Sequence, residues 1–235
     1  MINMESLGFL PPSQVVPRRI VATLSGHEKS GKTDMALRTA PEPVFFVSLD
    51  MGTEGVVHKF VDRDIRMYEV KVPRNQPKEV YVGIWNDLLM RIRAVLDNNQ
   101  GSLVIDTESE CWELQRLATF GRLDQVMPHH WGPINATKRE LVREFYHSDL
   151  TVVLLHKMSR EYKNDAWTGG WERKGWNDMG YSVQANLETV RHDGEDGTRF
   201  GVQVKDCRQN PALNGQIFWD DSRSFEFLLL MVHGS

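Results

Sequence analysis

Gly26-His27-Glu28-Lys29-Ser30-Gly31-Lys32-Thr33 is the stretch on which the reading of the fold turns. Its spacing is G-x-x-x-x-G-K-[ST], the pattern of a loop that cradles phosphate. Gly26 and Gly31 permit backbone shapes and a close approach that a side chain would block, so successive N–H groups can point at phosphate oxygens. Lys32 supplies a cation for the β and γ phosphates, the Thr33 hydroxyl a ligand for Mg²⁺, and the start of a helix the positive end of its dipole. A chance match in a surface loop would lack the flanks seen here. Ile20-Val21-Ala22-Thr23-Leu24 before the loop is a short apolar strand, and Thr33 to Thr39 after it has helical composition. The whole octet from Gly26 to Thr33 is therefore expected to bind ATP together with Mg²⁺.

Working outward, Val44-Phe45-Phe46-Val47-Ser48-Leu49 reads as a second buried strand ending at Asp50, and Leu103-Val104-Ile105 as a third ending at Asp106. Trp85, Leu88, Leu89, Ile92, Val95 and Leu96 share one helix face, as do Leu141, Val142 and Phe145 before a strand from Leu150 to Leu155 that ends in His156. Strands alternating with helices predict a mainly parallel sheet covered on both faces. The last third differs. Asn186–His192 and Arg199–Lys205 flank the turn signal Asp193-Gly194-Glu195-Asp196-Gly197, which predicts an antiparallel hairpin, with Gln216–Trp219 and Phe225–Leu230 as further strands. Residues 1–17, broken by Gly8, Pro11, Pro12 and Pro17, read as an irregular arm before a core spanning 18–235.

Composition excludes little. The 235 residues are 40% hydrophobic and 26% charged, ordinary for a globular domain, and a net charge of −4 argues only against a chain that is basic throughout. Cys111 and Cys207 form no CxxC pair, so neither a disulfide framework nor a zinc site is suggested. No apolar run is long enough to span a bilayer, and no basic flank precedes an apolar stretch at the start; a cytoplasmic protein without membrane contact is the simple reading.

Further residues suit the chemistry of a nucleotide. In a parallel sheet, ligands gather at the carboxyl ends of the strands, so Asp106 is expected to hold the metal alongside Thr33, a plain helix cap being the alternative. Hydrolysis needs a group that orients water at the γ-phosphate. Glu54, on a glycine-flanked turn beyond the second strand, is the leading choice, with Asp50 and Glu28 as competitors and a solvated loop acid as the bland reading. His156 is placed to sense the γ-phosphate and pass its presence to the next segment, or else is a satisfied structural histidine.

That next segment, residues 157–176, interleaves Lys157, Arg160, Lys163, Arg173 and Lys174 with Tyr162, Trp167, Trp171 and Trp176, around Gly169-Gly170. Cations neutralise phosphates while aromatic faces stack on unpaired bases, the chemistry of sequence-tolerant single-strand binding. Lys157, Arg160, Lys163, Trp167, Trp171, Arg173 and Lys174 are accordingly the expected DNA contacts. Five cations stand against Glu161, Asp165 and Glu172, so a mobile surface loop with packed tryptophans is the alternative. The segment Gly121–Pro133, with Arg122, His129, His130 and Trp131, carries a weaker signal of the same kind.

Together these features resemble the RecA-like P-loop ATPases. The phosphate loop, an acid after the second strand, Asp106, a polar residue at His156, a glycine-containing mobile loop and then a hairpin follow that family's order. Four stretches, Leu49–Val57, Gln125–Asn135, Leu155-His156-Lys157 and Asp178–Gln184, resemble phage-encoded Sak-type single-strand annealing proteins. The likeness runs from Arg19 to about Pro211. It implies a DNA-stimulated, Mg²⁺-dependent ATPase that binds single-stranded DNA and promotes annealing or recombination. It further implies a homo-oligomeric ring or filament in the host cytoplasm, working beside a single-strand-binding protein. In such assemblies cations just past the hairpin reach a neighbour's ATP, and Lys205 and Arg208 match that place. The chain departs from the family in having no recognisable helical DNA-binding domain at either end, which argues against full strand exchange. A small-molecule kinase with Arg160 and Arg173 in its lid, or an assembly protein switched by nucleotide with little turnover, would use the same loop.

Overall fold

The first hydrogen-bonded strand, Val21–Ser25 (β1), is buried along its whole length between two neighbouring strands, its Thr23 and Ser25 hydroxyls bonded to Asn186 Oδ1 and Leu187 O. A computed structural model describes residues 19–50, the backbone of 54, 55–122, 126, 127 and 130–233. The arm at 1–17 and the proposed loop residue His129 lie outside the described residues. After β1 come helix Lys32–Thr39 (α1), Val44–Ser48 (β2), the short helix Glu54–Val57 (α2), Ile65–Glu69 (β3) and the long helix Lys78–Asn98 (α3). Ser102–Asp106 (β4), Glu108–Phe120 (α4), Trp131–Tyr146 (α5) and Thr151–His156 (β5) follow. Met158–Lys163 (β6) and Ala166–Arg173 (β7) form a separate two-stranded ribbon. Met179–Ser182 (α6), Ala185–Gly194 (β8), Gly197–Cys207 (β9), Ile217–Trp219 (β10) and Phe225–His233 (α7) complete the described chain.

The main sheet runs β10-β9-β8-β1-β5-β4-β2-β3. Every pairing from β8 to β3 is parallel, and β9 and β10 add antiparallel strands at one edge. This is the expected α/β architecture with its terminal hairpin. Alternate residues of each strand face opposite layers. Val21, Val152 and Leu154 meet Tyr81, Trp85, Leu88, Ile92, Leu114 and Phe145 from α3, α4 and α5. Ala22, Leu24, Val153 and Leu155 meet Met35, Ala36 and Leu37 of α1 and Phe225 and Leu228 of α7. Among the described residues no helix is long and apolar enough to cross a membrane.

The register places the site. Ser25 pairs with His156, and Asp106 with both Leu155 and Ser48, so β1, β5, β4 and β2 end together at one edge. Thr107 caps α4 there, its side chain accepting from the Glu110 N–H.

Two expectations are corrected. Residues 225–230 are helix rather than strand. Phe225 and Leu228 are buried while Leu230 is 54% exposed, the three-residue spacing of a helix face that an unbroken apolar run conceals. The glycine-containing mobile loop is the β6–β7 ribbon, closed by Asn164 and Asp165 at positive φ, the geometry that lets a two-residue turn follow the strands' twist. Strand β3, with Ile65 and Tyr68 half-buried, had no sequence counterpart because charged Arg66 and Glu69 suit a sheet edge and mask its pattern.

The helical assignment of α7 has a direct consequence. Leu228→Ala should lose about 2–5 kcal/mol of stability in urea unfolding, whereas Leu230→Ala should stay within about 0.5 kcal/mol of the parent. A strand at 225–230 would put 228 and 230 on one face and make the two losses comparable.

Candidate nucleotide-binding site

Beyond Ser25 the chain must turn sharply into α1, and both motif glycines are forced by what surrounds them. A Cβ on Gly26 would lie 2.0 Å from Thr189 Oγ1, and Gly31 has φ of 86°, a left-handed shape that side chains rarely adopt. The Ser30 and Thr189 hydroxyls are 2.6 Å apart, and Thr189 also donates to Ser25 O at 3.2 Å, which stitches the loop to β8. His27, Glu28 and Lys29 stay exposed at the crown of the loop.

Lys32 curls back over the loop, its Nζ donating to Gly26 O at 2.8 Å and His27 O at 2.9 Å. Burial lowers its pKa, against the pull of Asp106, Asp50 and Glu28. Thr33 Oγ1 donates to Asp106 Oδ2 at 2.6 Å across 73 residues of sequence. Asp106 is 3% exposed, and its burial raises the carboxyl pKa although Thr33's hydrogen bond and Lys32's charge oppose the shift. A hydroxyl and a carboxylate held in contact at the mouth of a phosphate loop form an oxygen donor pair of the kind Mg²⁺ takes, and a lysine stands beside it. The residues therefore fit ATP with Mg²⁺, whose charge would offset that of the phosphates when bound.

Lys157 extends this cluster. Its Nζ contacts Glu110 Oε1 at 2.8 Å and Asp50 Oδ2 at 3.4 Å. Asp50 thus sits near Lys32 and Asp106, while the side chain of Glu54 lies outside the described residues.

His156 is fully buried and belongs to the face opposite α1. Its Nδ1 lies 3.0 Å from Lys174 O and 3.4 Å from Glu108 Oε2, so it holds the base of the ribbon and does not point along the α1 side. Burial drives its pKa well down and leaves the imidazole neutral. Around it is a buried charged group that the sequence did not announce. Glu108, 1% exposed, pairs with Lys138, 2% exposed, and burial pushes the nearby Cys111 thiol up to about 11, so Glu108 is the anion that Lys138 answers. Glu108, Lys138 and His156 stand well apart in the chain, on α4, α5 and β5, and only the packing brings them together.

The ribbon carries most of the expected DNA contacts, unequally. Trp167, Trp171 and Tyr162 are 52%, 47% and 57% exposed, and the Arg160 guanidinium lies 5.4 Å from the Trp167 ring centre. Lys163 and Lys174 are exposed, Lys163 pairing with Glu161 at 3.0 Å. Trp171 meets the His27 ring edge-on at 4.8 Å, so the ribbon rests on the phosphate loop. Arg173 does not join the outer surface. Its guanidinium turns inward toward Glu108, with Nη2 within 3.4 Å of Trp176 O and Asn177 O, and Trp176 is core. Lys157 is held by Glu110 and Asp50 at the ribbon's root.

Arg208 lies away from the phosphate loop of its own chain, whereas Lys205 reaches back to Glu188, which pairs with Ser25 just before the loop. β9 descends beside β8 until Cys207 pairs with Ala185, at the edge of the sheet opposite Gly26. Lys205 Nζ is 3.4 Å from Glu188 Oε2, and Arg208 donates to Tyr181 O at 2.6 Å.

No family model matches the chain, and no curated protein matches it. Among solved structures, the RadB recombinase superposes on 87% of each chain with a TM-score of 0.49 and 12% sequence identity.

Removing one member of the buried pair should expose its cost. Lys138→Met strips Glu108 of its ion-pair partner on α5 and should destabilise the fold by about 3–5 kcal/mol, with Lys138→Met/Glu108→Gln recovering part of the loss in urea unfolding. The neutral His156 sets a pH dependence of known sign. The unfolded imidazole binds a proton near pH 6.5 and the folded one only far lower, so stability is full above that value. It should fall by up to about 1.4 kcal/mol per pH unit as the pH drops from about 6.5, and His156→Gln should flatten that slope.

Proposed function

We propose that this protein is a Mg²⁺-dependent P-loop ATPase of RecA-like type that binds single-stranded DNA and promotes annealing or recombination. The observation that carries the nucleotide reading is the contact of Thr33 Oγ1 with Asp106 Oδ2 at 2.6 Å beside a lysine wrapped on a glycine-flanked loop. In this reading the Gly26–Thr33 backbone holds the phosphates, Lys32 moves from its carbonyls onto them, and Thr33 and Asp106 hold Mg²⁺. Asp50, beside Lys157, competes with Glu28 and Glu54 for orienting water.

The DNA reading is supported by the ribbon. Arg160, Lys163, Trp167 and Trp171 sit on one exposed two-stranded element, pairing cations with ring faces as sequence-tolerant strand binding requires. Its place against His27 lets the two ligands influence each other. Annealing, assembly into a ring or filament, and the action of Lys205 and Arg208 on a neighbour's ATP rest on the resemblance to RecA-like and Sak-type proteins.

Lys32→Ala should abolish ATP binding and turnover while leaving the unfolding midpoint near that of the parent, because the Lys32 ammonium bonds only to the loop carbonyls Gly26 O and His27 O among the described residues. Asp106→Asn should depress Mg²⁺-dependent hydrolysis more than ATP binding. ATPase activity at the parent rate in Lys32→Ala would refute the nucleotide reading. For DNA, Trp167→Ala should weaken binding to a fluorescent oligonucleotide by about 1–3 kcal/mol for any sequence, and affinity should fall steeply with salt. Unchanged affinity would return the ribbon to a structural role. Mixing Lys205→Ala/Arg208→Ala protein with Lys32→Ala protein should restore part of the hydrolysis if those cations act across an interface.

A further inference from the structure

Arg223, far along the chain from the phosphate loop, packs directly against it. Its Nη1 is 2.7 Å from where a Cβ on Gly31 would stand, at the N-terminus of α1, and its guanidinium lies 5.4 Å from the Phe200 ring centre. The side chain is 10% exposed, and neither Nε nor Nη1 has a hydrogen-bond partner among the described residues. Buried guanidinium N–H groups without acceptors are costly, because the water they gave up is not replaced. Its hydrogen bond among the described residues, Nη2 to Asp34 Oδ2, is 3.3 Å long. Asp34 does not need it: Arg38 already grips that carboxylate with Nη2 at 2.9 Å and Nε at 3.3 Å. Arg223 is thus an under-partnered cation at a helix start, where backbone N–H groups also favour an anion.

Its position indicates which part of the ligand it meets. The charges around Lys32 are Asp106, Asp50, Glu28 and Lys157, the side of the loop where the metal and terminal phosphate belong. Lys32 Nζ turns onto Gly26 O and His27 O, whereas Arg223 rests against Gly31, Phe200 and Asp34. The two cations therefore flank the loop on different sides.

We propose that Arg223, backed by the Phe200 ring, binds the α-phosphate end of the nucleotide, with a reach that comes from rotation of its long side chain. It is a cation supplied within the same chain. This rests on the nucleotide-site reading above and adds a second, γ-independent contact to it. Arginine suits the task because its planar fork stays charged when buried and can engage two acceptors at once.

The test is titration of fluorescently labelled ATP and ADP into parent, Arg223→Gln, Arg223→Lys, Asp34→Asn/Arg223→Gln and Lys32→Ala proteins, each with a melting curve. Arg223→Gln should weaken ATP and ADP by the same factor, about tenfold or more, as loss of a charge-assisted hydrogen bond does. Arg223→Lys, which keeps the charge without the fork, should fall between the two and serves as the comparison if the glutamine variant does not fold. The double variant should stay as weak as Arg223→Gln. Parent affinity in Arg223→Gln, or restored in the double variant, would overturn the proposal, the second by showing that Arg223 only neutralises Asp34. A loss confined to ATP would move Arg223 to the γ-phosphate and overturn it too. Nucleotide binding absent from the parent, or intact in Lys32→Ala, would instead overturn the reading of the loop on which the proposal stands.

Discussion

The contact between Thr33 and Asp106 exists only because β1 and β4 stop at the same height with β5 between them. A parallel sheet imposes that alignment: register fixes which residues end side by side, and a slip of one position would turn Asp106 to the other face. The glycines depend on the same frame. Gly26 lacks a side chain because Thr189, on β8, occupies the space one would need, and the Ser30–Thr189 contact then holds the loop against that strand. The loop is thus fixed from both sides of β1, by β8 on one side and by Asp106 of β4, beyond β5, on the other. Every other element of the candidate site is arranged around this fixed piece of backbone.

The opposite face of the sheet carries a second arrangement, whose logic is buried charge. His156, Glu108 and Lys138 have almost no solvent contact, so each is tolerable only in the company of the others. Arg173 reaches into the same region from the end of β7, and Lys174 O meets His156, which ties the root of the ribbon to β5. The ribbon's exposed tryptophans therefore stand on a rigid base, and Trp171 touches the phosphate loop through His27. Two routes connect the ribbon to the candidate nucleotide site, one by ring contact and one through Lys157 with Asp50. Such contiguity is what coupling between two ligands requires, since a ligand shifts another's affinity only through contacts that differ between states.

The fold was legible where one signal dominated. Continuous apolar runs announced β1, β2, β4 and β5, the glycine-rich turn announced the β8–β9 hairpin, and the helical spacing around Leu88 announced α3. It was illegible where two periods overlapped or where polar residues covered the pattern. Phe225-Glu226-Phe227-Leu228-Leu229-Leu230 fits strand or helix alike, and only packing against the α1 layer selects the helix. In the ribbon, aromatic and charged residues around Gly169-Gly170 look like a loop, yet they pair because the Asn164-Asp165 turn brings the strands back together.

For the candidate site, the sequence by itself singled out the octet Gly26–Thr33 by its pattern, because a backbone that wraps phosphate needs glycine at set spacings, a lysine and a hydroxyl within one turn. It also singled out Asp106 and His156 as polar residues closing apolar strands. Tertiary structure alone decided that Asp106 meets Thr33, that His156 faces away from α1, that Arg173 turns inward and that Arg223 comes to rest on Gly31. The division has one physical cause. Local chemistry is written in neighbouring residues, whereas burial and the partners of a charge are set by register and layer packing, which join residues far apart in the chain.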